Sequence, residues 1–193
     1  MAAEHDLATF AEAKAAFGYQ DDESTKVGDL ITIASSRIEA YCKRKLAARD
    51  YVWILDGSGR PELLCPEYPV NSVARLTVDT GRAFSAESDV LPASYAIRAD
   101  AGIIVLFQGR FSNYGVPAVI RLEANAGYDS DHAERSVLRA ACLEYVDWFK
   151  TRWSSAGAVG KKGEYSADGV SVSYETEMPM HIRAMLAEFV RVE

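Results

Sequence analysis

The chain has 193 residues, 49% of them hydrophobic, 25% charged and 10% aromatic, a composition that belongs to a folded chain with one main core and excludes a disordered one. Its formal charge of −7 argues against broad attachment to DNA or anionic lipid, both of which need clustered Lys and Arg to displace counterions. The first ten residues carry no basic stretch ahead of an apolar one, and no run reaches the ~18 apolar residues of a membrane span, so a soluble protein made in the cytoplasm, with no membrane partner, is expected.

In chain order, Thr9 followed by Glu12 predicts a capping box, and Gly18 a stop, for a short helix over Phe10 to Phe17. QDDEST then places acids where the positive end of a helix dipole favours them. The series Val27, Leu30, Ile31, Ala34, Ile38, Tyr41, Cys42 follows at helical spacing. Lys43, Arg44, Lys45 and Arg49 suit the end of that second helix as a solvated basic cluster.

From Tyr51 to Tyr128 short β-rich runs alternate with Gly, Pro, Asn and Asp, and strands are predicted near YVWIL, ELLC, SVARLTV, SYAIR, GIIVLF and AVIRLEANA. In the last, Ala118, Ile120, Leu122 and Ala124 alternate with Val119, Arg121, Glu123 and Asn125, the pattern of a half-buried strand. The runs are too closely spaced for crossover helices, so the sheet is antiparallel. Asp131 with Glu134 predicts the start of a third helix, whose stripe of Val137, Leu138, Ala141, Cys142, Tyr145, Val146 and Phe149 packs on the second.

The stretch Ser154 to Gly169 is rich in Gly and small residues and reads as a connector. Beyond it Val170, Val172 and Tyr174 alternate with Ser171 and Ser173, and Pro179 opens a short helix bearing Ile182, Met185, Leu186, Phe189 and Val190. The fold class is therefore α+β: a helical base of two long helices and a short first one (1–49 and 129–153), a mostly antiparallel insert (50–128), and a hinged strand and helix (154–193). That last part reads as an arm, separable from the base.

Chemistry is sparse. Of the three histidines, His5 lies near the terminus and His181 in the first turn of the last helix. His132, amid Asp129, Asp131 and Glu134, matches neither an EF-hand nor HExxH and reads as a turn and helix start. GAVGKKG fails the phosphate-loop pattern at Ser155 and Lys162, DGSG at Asp56 to Gly59 is a turn, and GxSxG is absent. Tyr51, Trp53, Trp148 and Trp153 are not interleaved with basic residues and read as core or interface aromatics. Cys42, Cys65 and Cys142 are an odd, dispersed set with no zinc spacing; they read as reduced, with Cys42 and Cys142 filling apolar helix faces. No catalytic residue, metal or cofactor is expected, and the chain reads as an assembly subunit and not an enzyme.

The order FAEAKAAFGYQDDESTKVGDLITIASSRIEAYCKRKL, YVWILDG, PEYPVNSVARLTV, SYAIRADAGIIVLF, VIRLEANAGYD and YVDWFKTRW, from Leu7 to Trp153, resembles the gp6-like head-to-tail connector, or adaptor, family of tailed phages. The ending GVSVSYETEMPMHIRAMLAEFVRV is similar to that of longer members. The resemblance implies a ring, twelvefold like the portal, in the virion neck, joined to the portal on one side and to a stopper or tail-completion protein on the other, with duplex DNA passing transiently through its lumen. It implies portal docking by Val170, Val172, Tyr174, Ile182, Met185, Leu186, Phe189 and Val190. The alternatives weighed beside it are a stopper or tail-completion protein of the same assembly and a small ligand-binding or hydrolase domain.

Overall fold

A computed structural model describes residues 5–111, 115–156, 165–167, 170–172 and 178–191. The chain divides into two compact units, Met1–Arg44 with Asp131–Glu193, and Lys45–Ser130.

The first unit is helical. Its elements are α1 (Phe10–Phe17), α2 (Ser24–Cys42), α3 (Ala133–Ala156) and α4 (Met180–Leu186), with a short hairpin of β7 (Tyr165–Ala167) and β8 (Val170–Val172) between the last two helices. The start of α1 is set as the sequence predicts: the Thr9 hydroxyl accepts from the Glu12 N–H, and a Glu12 carboxylate oxygen accepts from the Thr9 N–H at 2.8 Å. Gly18 ends it at φ 71°, where a side chain would be strained. A 3-10 turn at Asp21–Glu23 leads into α2.

Helices α2 and α3 pack on each other, α1 lies against both, and α4 lies against α3. Ile31, Ala34, Ile38 and Cys42 of α2 and Leu138, Ala141, Cys142 and Val146 of α3 are fully buried. Small side chains at this seam let a polar one in. The Ser35 hydroxyl accepts from the Leu7 N–H at 2.9 Å and lies 3.5 Å from the Cys142 sulfur, so its burial carries no unsatisfied hydroxyl. The expected stripes are displaced at their edges: Leu30 is only half-buried and Val137 is exposed, while Ser35 and Glu39 are buried instead. The third helix also begins at Ala133, one residue later than Asp131 as N-cap requires.

Two further expectations are corrected here. Lys43 ends α2 with a left-handed backbone (φ 55°), Arg44 is 5% exposed and Arg49 opens a strand, so the basic cluster is not a solvated helix end. The last helix is not held apart from the base. Ile182, Leu186 and Phe189 are buried, Met178 with them, and the Arg191 N–H donates to the Cys42 carbonyl at 3.0 Å. An apolar helix face left in water loses ~1.5 to 3 kcal/mol per large side chain, and α3 offers a face to cover it.

The second unit holds two three-stranded antiparallel sheets. The first runs β1 (Arg49–Leu55), β6 (Ile120–Ala126), β3 (Val70–Val78), and the second β2 (Glu62–Leu64), β5 (Ile103–Leu106), β4 (Tyr95–Arg98). All six predicted strands are present. Both sheets turn their inner faces to one core, which includes Leu76, Ile120 and Leu122 from the first and Leu63, Tyr95 and Ile104 from the second. In β6 Ile120, Leu122, Ala124 and Ala126 are buried as the alternation demands. Val119 is buried too, and Ala118 lies outside the strand in a left-handed turn (φ 59°), its N–H donating to the Asp56 carboxylate at 2.6 Å. The unit's two ends are tied side by side: the Ala48 N–H donates to the Tyr128 carbonyl and the Tyr128 N–H to the Leu46 carbonyl.

Candidate functional site

The residues that sequence reasoning singles out for docking fall in three places. Val170 and Val172 belong to β8, where Val172 pairs with Tyr165 and Val170 with Ala167. Tyr174 lies outside the described residues. On the C-terminal helix, Ile182, Leu186 and Phe189 are spent inside the helical unit, and Met185 and Val190 are half-buried.

The helical unit's polar groups are matched in pairs. Arg139 Nη1 meets Glu12 at 3.1 Å, Lys150 Nζ meets Glu23 at 2.9 Å and sits 3.7 Å from the centre of the Tyr19 ring, and the Tyr19 hydroxyl donates to Asp147. Burial raises the Tyr19 hydroxyl well above its ordinary value, and Asp147 adds to the effect. Burial acts upward on Glu12 as well, but the Thr9 N–H, the Thr9 hydroxyl and Arg139 outweigh it and hold the carboxyl below its usual range. Arg135 donates to the Asp6 carbonyl at 2.8 Å. These contacts tie α1 and the segments on either side of it to α3, which is how a structural scaffold uses charge; none brings a nucleophile to a base.

The histidines and thiols read the same way. His132 Nδ1 lies 3.9 Å from Glu134 and His181 Nε2 3.4 Å from Glu144. Among the described residues no group of three or more His, Cys, Asp or Glu is placed to hold a metal ion, and no helix is long and apolar enough to cross a membrane. Burial pushes the Cys42 and Cys65 thiols up to about 11 and Cys142 to about 12, away from the thiolate a nucleophile or ligand needs.

In the sheet unit a connected set of polar side chains supports a loop. Arg75 Nε bonds both oxygens of Asp89 at 2.9 and 3.0 Å, its Nη2 donates to the Phe84 carbonyl, and the Thr77 hydroxyl donates to Asp89 at 2.7 Å. Asp79 accepts from the Gly81 and Phe84 N–H groups. The loop from Asp79 to Val90 is thus fastened at its middle as well as its ends. The Thr77 hydroxyl and Arg75 hold the Asp89 carboxyl below its usual range.

What sequence reasoning missed lies on the outer faces of the two sheets. Val52 and Ile54 of β1 are 60% and 49% exposed, and Leu64 and Phe107 by the second sheet 69% and 63%. The sequence marks YVWIL as a strand, but a run of five apolar residues does not say which of its rows stays exposed.

Such a molecule, an α+β chain of one helical and one sheet unit stiffened by ion pairs and leaving apolar sheet faces uncovered, is of the class of structural assembly subunits. A family model for the head completion proteins matches residues 6–192, and the chain belongs to that family, whose role in the virion is structural, in the connection of head and tail. No curated protein sequence matches. Among solved structures, the fold is similar to a chain in the neck of a native GTA particle computed with C12 symmetry (TM-score 0.59, 14% identity, 96% of this chain and 93% of that one). It is similar to chains in the neck of an empty GTA particle computed with C6 symmetry (0.59, 14%, 95% and 88%) and in the virion of a native gene transfer agent particle (0.59, 16%, 95% and 89%).

Proposed function

We propose that the chain is a head-to-tail connector subunit in the virion neck, where copies form a ring between the portal protein and a stopper or tail-completion protein, and DNA passes through its lumen. One observation carries the reading: the head completion family model runs from residue 6 to 192 and so takes in both units and the C-terminal helix. The twelvefold and sixfold symmetries of the neck structures with the same fold support a homo-oligomeric ring. The function needs no catalytic residue and no cofactor.

The arm after α3 docks on the portal in this reading, with a division of labour within it. Ile182, Leu186 and Phe189 anchor α4 to the base, and Val170, Val172, Tyr174, Met185 and Val190 face the partner. Among the described residues β7 and β8 pair only with each other; a two-stranded hairpin is marginal in water, and a portal surface can supply a further strand or an apolar face. Co-purification with the particle's portal protein, with an electron micrograph of the complex, tests this. A ring beneath the portal is expected, and Val170→Asp with Val172→Asp should reduce portal co-elution at least about tenfold, as interface charges do when desolvated, with circular dichroism unchanged. A single bound copy, or full co-elution of the double variant, would overturn the ring or the docking assignment respectively.

A further inference from the structure

The sheet unit carries two apolar surfaces on opposite sides of one core. Because the inner faces of both sheets pack on the same cluster, their outer faces point away from each other. On the first sheet, β1 is an edge strand, and its outer row reads Asp50, Val52, Ile54, with Asp56 next in step; all four are exposed. Both carboxylates are held in place, Asp50 by the Asn125 amide at 2.7 Å and Asp56 by the Ala118 N–H. Farther into the sheet the outer face is already neutralised: Arg121 pairs with Glu123 at 3.0 Å, and Arg75 with Asp89. The row is therefore an apolar pair between two acids, on an edge that no Lys or Pro protects.

On the second sheet, the register puts Leu64, Ile103 and Arg98 in one outer row and Glu62, Val105 and Ala96 in the next. The Phe107 N–H donates to the Ser94 carbonyl and the Leu106 N–H to the Pro61 carbonyl, which carries the pairing past the strand ends and brings Arg60, two residues before β2, to the Phe107 end of the sheet. The outcome is an apolar patch of Leu64, Ile103, Val105 and Phe107 with exposed arginines at two opposite corners and Glu62 as its one acid. From Arg60 to Arg98 the diagonal crosses two strand spacings and four residues, roughly 16 Å, and from Asp50 to Asp56 is roughly 20 Å, a difference that arginine side chains span.

We infer that copies of this chain associate head to tail through these two surfaces, the Asp50–Asp56 row of one copy seated on the Arg60–Arg98 patch of the next. The inference rests on the ring reading above and gives it an interface. A closed ring needs two different, mutually complementary patches on each subunit, and an acid-flanked apolar row facing an arginine-cornered apolar patch meets that need, where two copies of either would meet with like charges. At roughly 10 Å by 13 Å the patch is well below the ~800 Å² per partner of a stable interface. It is the apolar centre of a contact that is weak between two copies and gains from closure and from the neighbouring proteins.

Disulfide trapping at high concentration measures such a contact. The native thiols are all buried, so Ile54→Cys on one copy and Val105→Cys on a differently tagged copy report on the two surfaces. A mixed disulfide dimer should form at least about tenfold faster than with a Glu188→Cys control on the other unit, and neither variant should trap itself. Arg60→Glu with Arg98→Glu in the second copy should reduce the yield about fivefold or more, and Asp50→Lys in the first should restore part of it. Circular dichroism spectra must match the unsubstituted chain, as the exposure of Asp50, Ile54, Arg60 and Arg98 and the half-exposed, conservatively replaced Val105 lead one to expect. A mixed yield equal to the control, or self-trapping at Ile54→Cys, overturns the head-to-tail contact. If micrographs of particles still show a ring, the connector reading survives and only this interface fails; if they show no ring, the reading beneath it fails.

Discussion

The two units solve the same burial problem with opposite remainders. The helical unit draws its pieces from both ends of the chain, and even its last helix is used to cover a face of α3. The sheet unit is continuous in sequence and closes its core between two sheets, yet leaves Val52, Ile54, Leu64 and Phe107 about half exposed or more. The helical unit's exposed apolar side chains, Phe17, Ile33, Val137 and Met180, fall one to a helix, whereas Val52 and Ile54 share one row of a sheet, and it is a row that a neighbour can cover.

The largest effect that would sharpen this contrast is a charge in the helical seam. Ile31→Asp places an unpaired carboxylate at a position with 0% exposure and should destabilise by about 4 kcal/mol or more, whereas Leu30→Asp, at a half-buried position, should cost about half as much; thermal melts compare them, and equal losses would mean that the face is misplaced. Next comes the seam where the sheet unit enters and leaves. Gly127 has φ 111°, and a Cβ there would meet the Ala47 carbonyl oxygen at 2.8 Å, so Gly127→Ala should lower stability by about 2 to 3 kcal/mol in denaturant titration. The smallest effect is that of acid on the sheet unit's fastened loop. The folded Asp89 carboxyl titrates below its ordinary 3.8, so its contribution is complete above that pH and is lost as pH falls through the lower folded value. Amide exchange from Asp79 to Val90 should therefore quicken in that window before the rest of the unit opens, and the Asp89→Asn variant should show no such step.

Much of this architecture was legible because it is written in local chemistry. The Thr9–Glu12 box and Gly18 delimit α1 to the residue, and alternation in β6 identifies the inner face from Ile120 to Ala124. Legibility failed where partners distant in sequence decide. Ser35 reads as a surface serine until Leu7 and Cys142 are brought to it, and Arg44 reads as part of a basic helix end though it is buried. The C-terminal helix reads as a free arm because its seat on α3 lies across a connector whose composition promises only a hinge. The outer sheet rows were hidden for another reason: pairing register, not composition, sets Leu64, Ile103 and Arg98 in one row across three strands.

The insertion of the sheet unit between α2 and α3 also sets a timetable. About 90 residues separate Cys42 from Ala133, so at synthesis rates of roughly 5 to 20 residues per second α2 leaves the ribosome some 5 to 18 seconds ahead of the helix that covers Ile31, Ala34 and Ile38. The sheet unit, complete at Ser130, can close on the ribosome while that apolar stripe still waits. The nascent chain thus carries a finished domain beside an unfinished one, and it is the helical stripe that a chaperone, or premature association of neighbouring nascent chains, would find first.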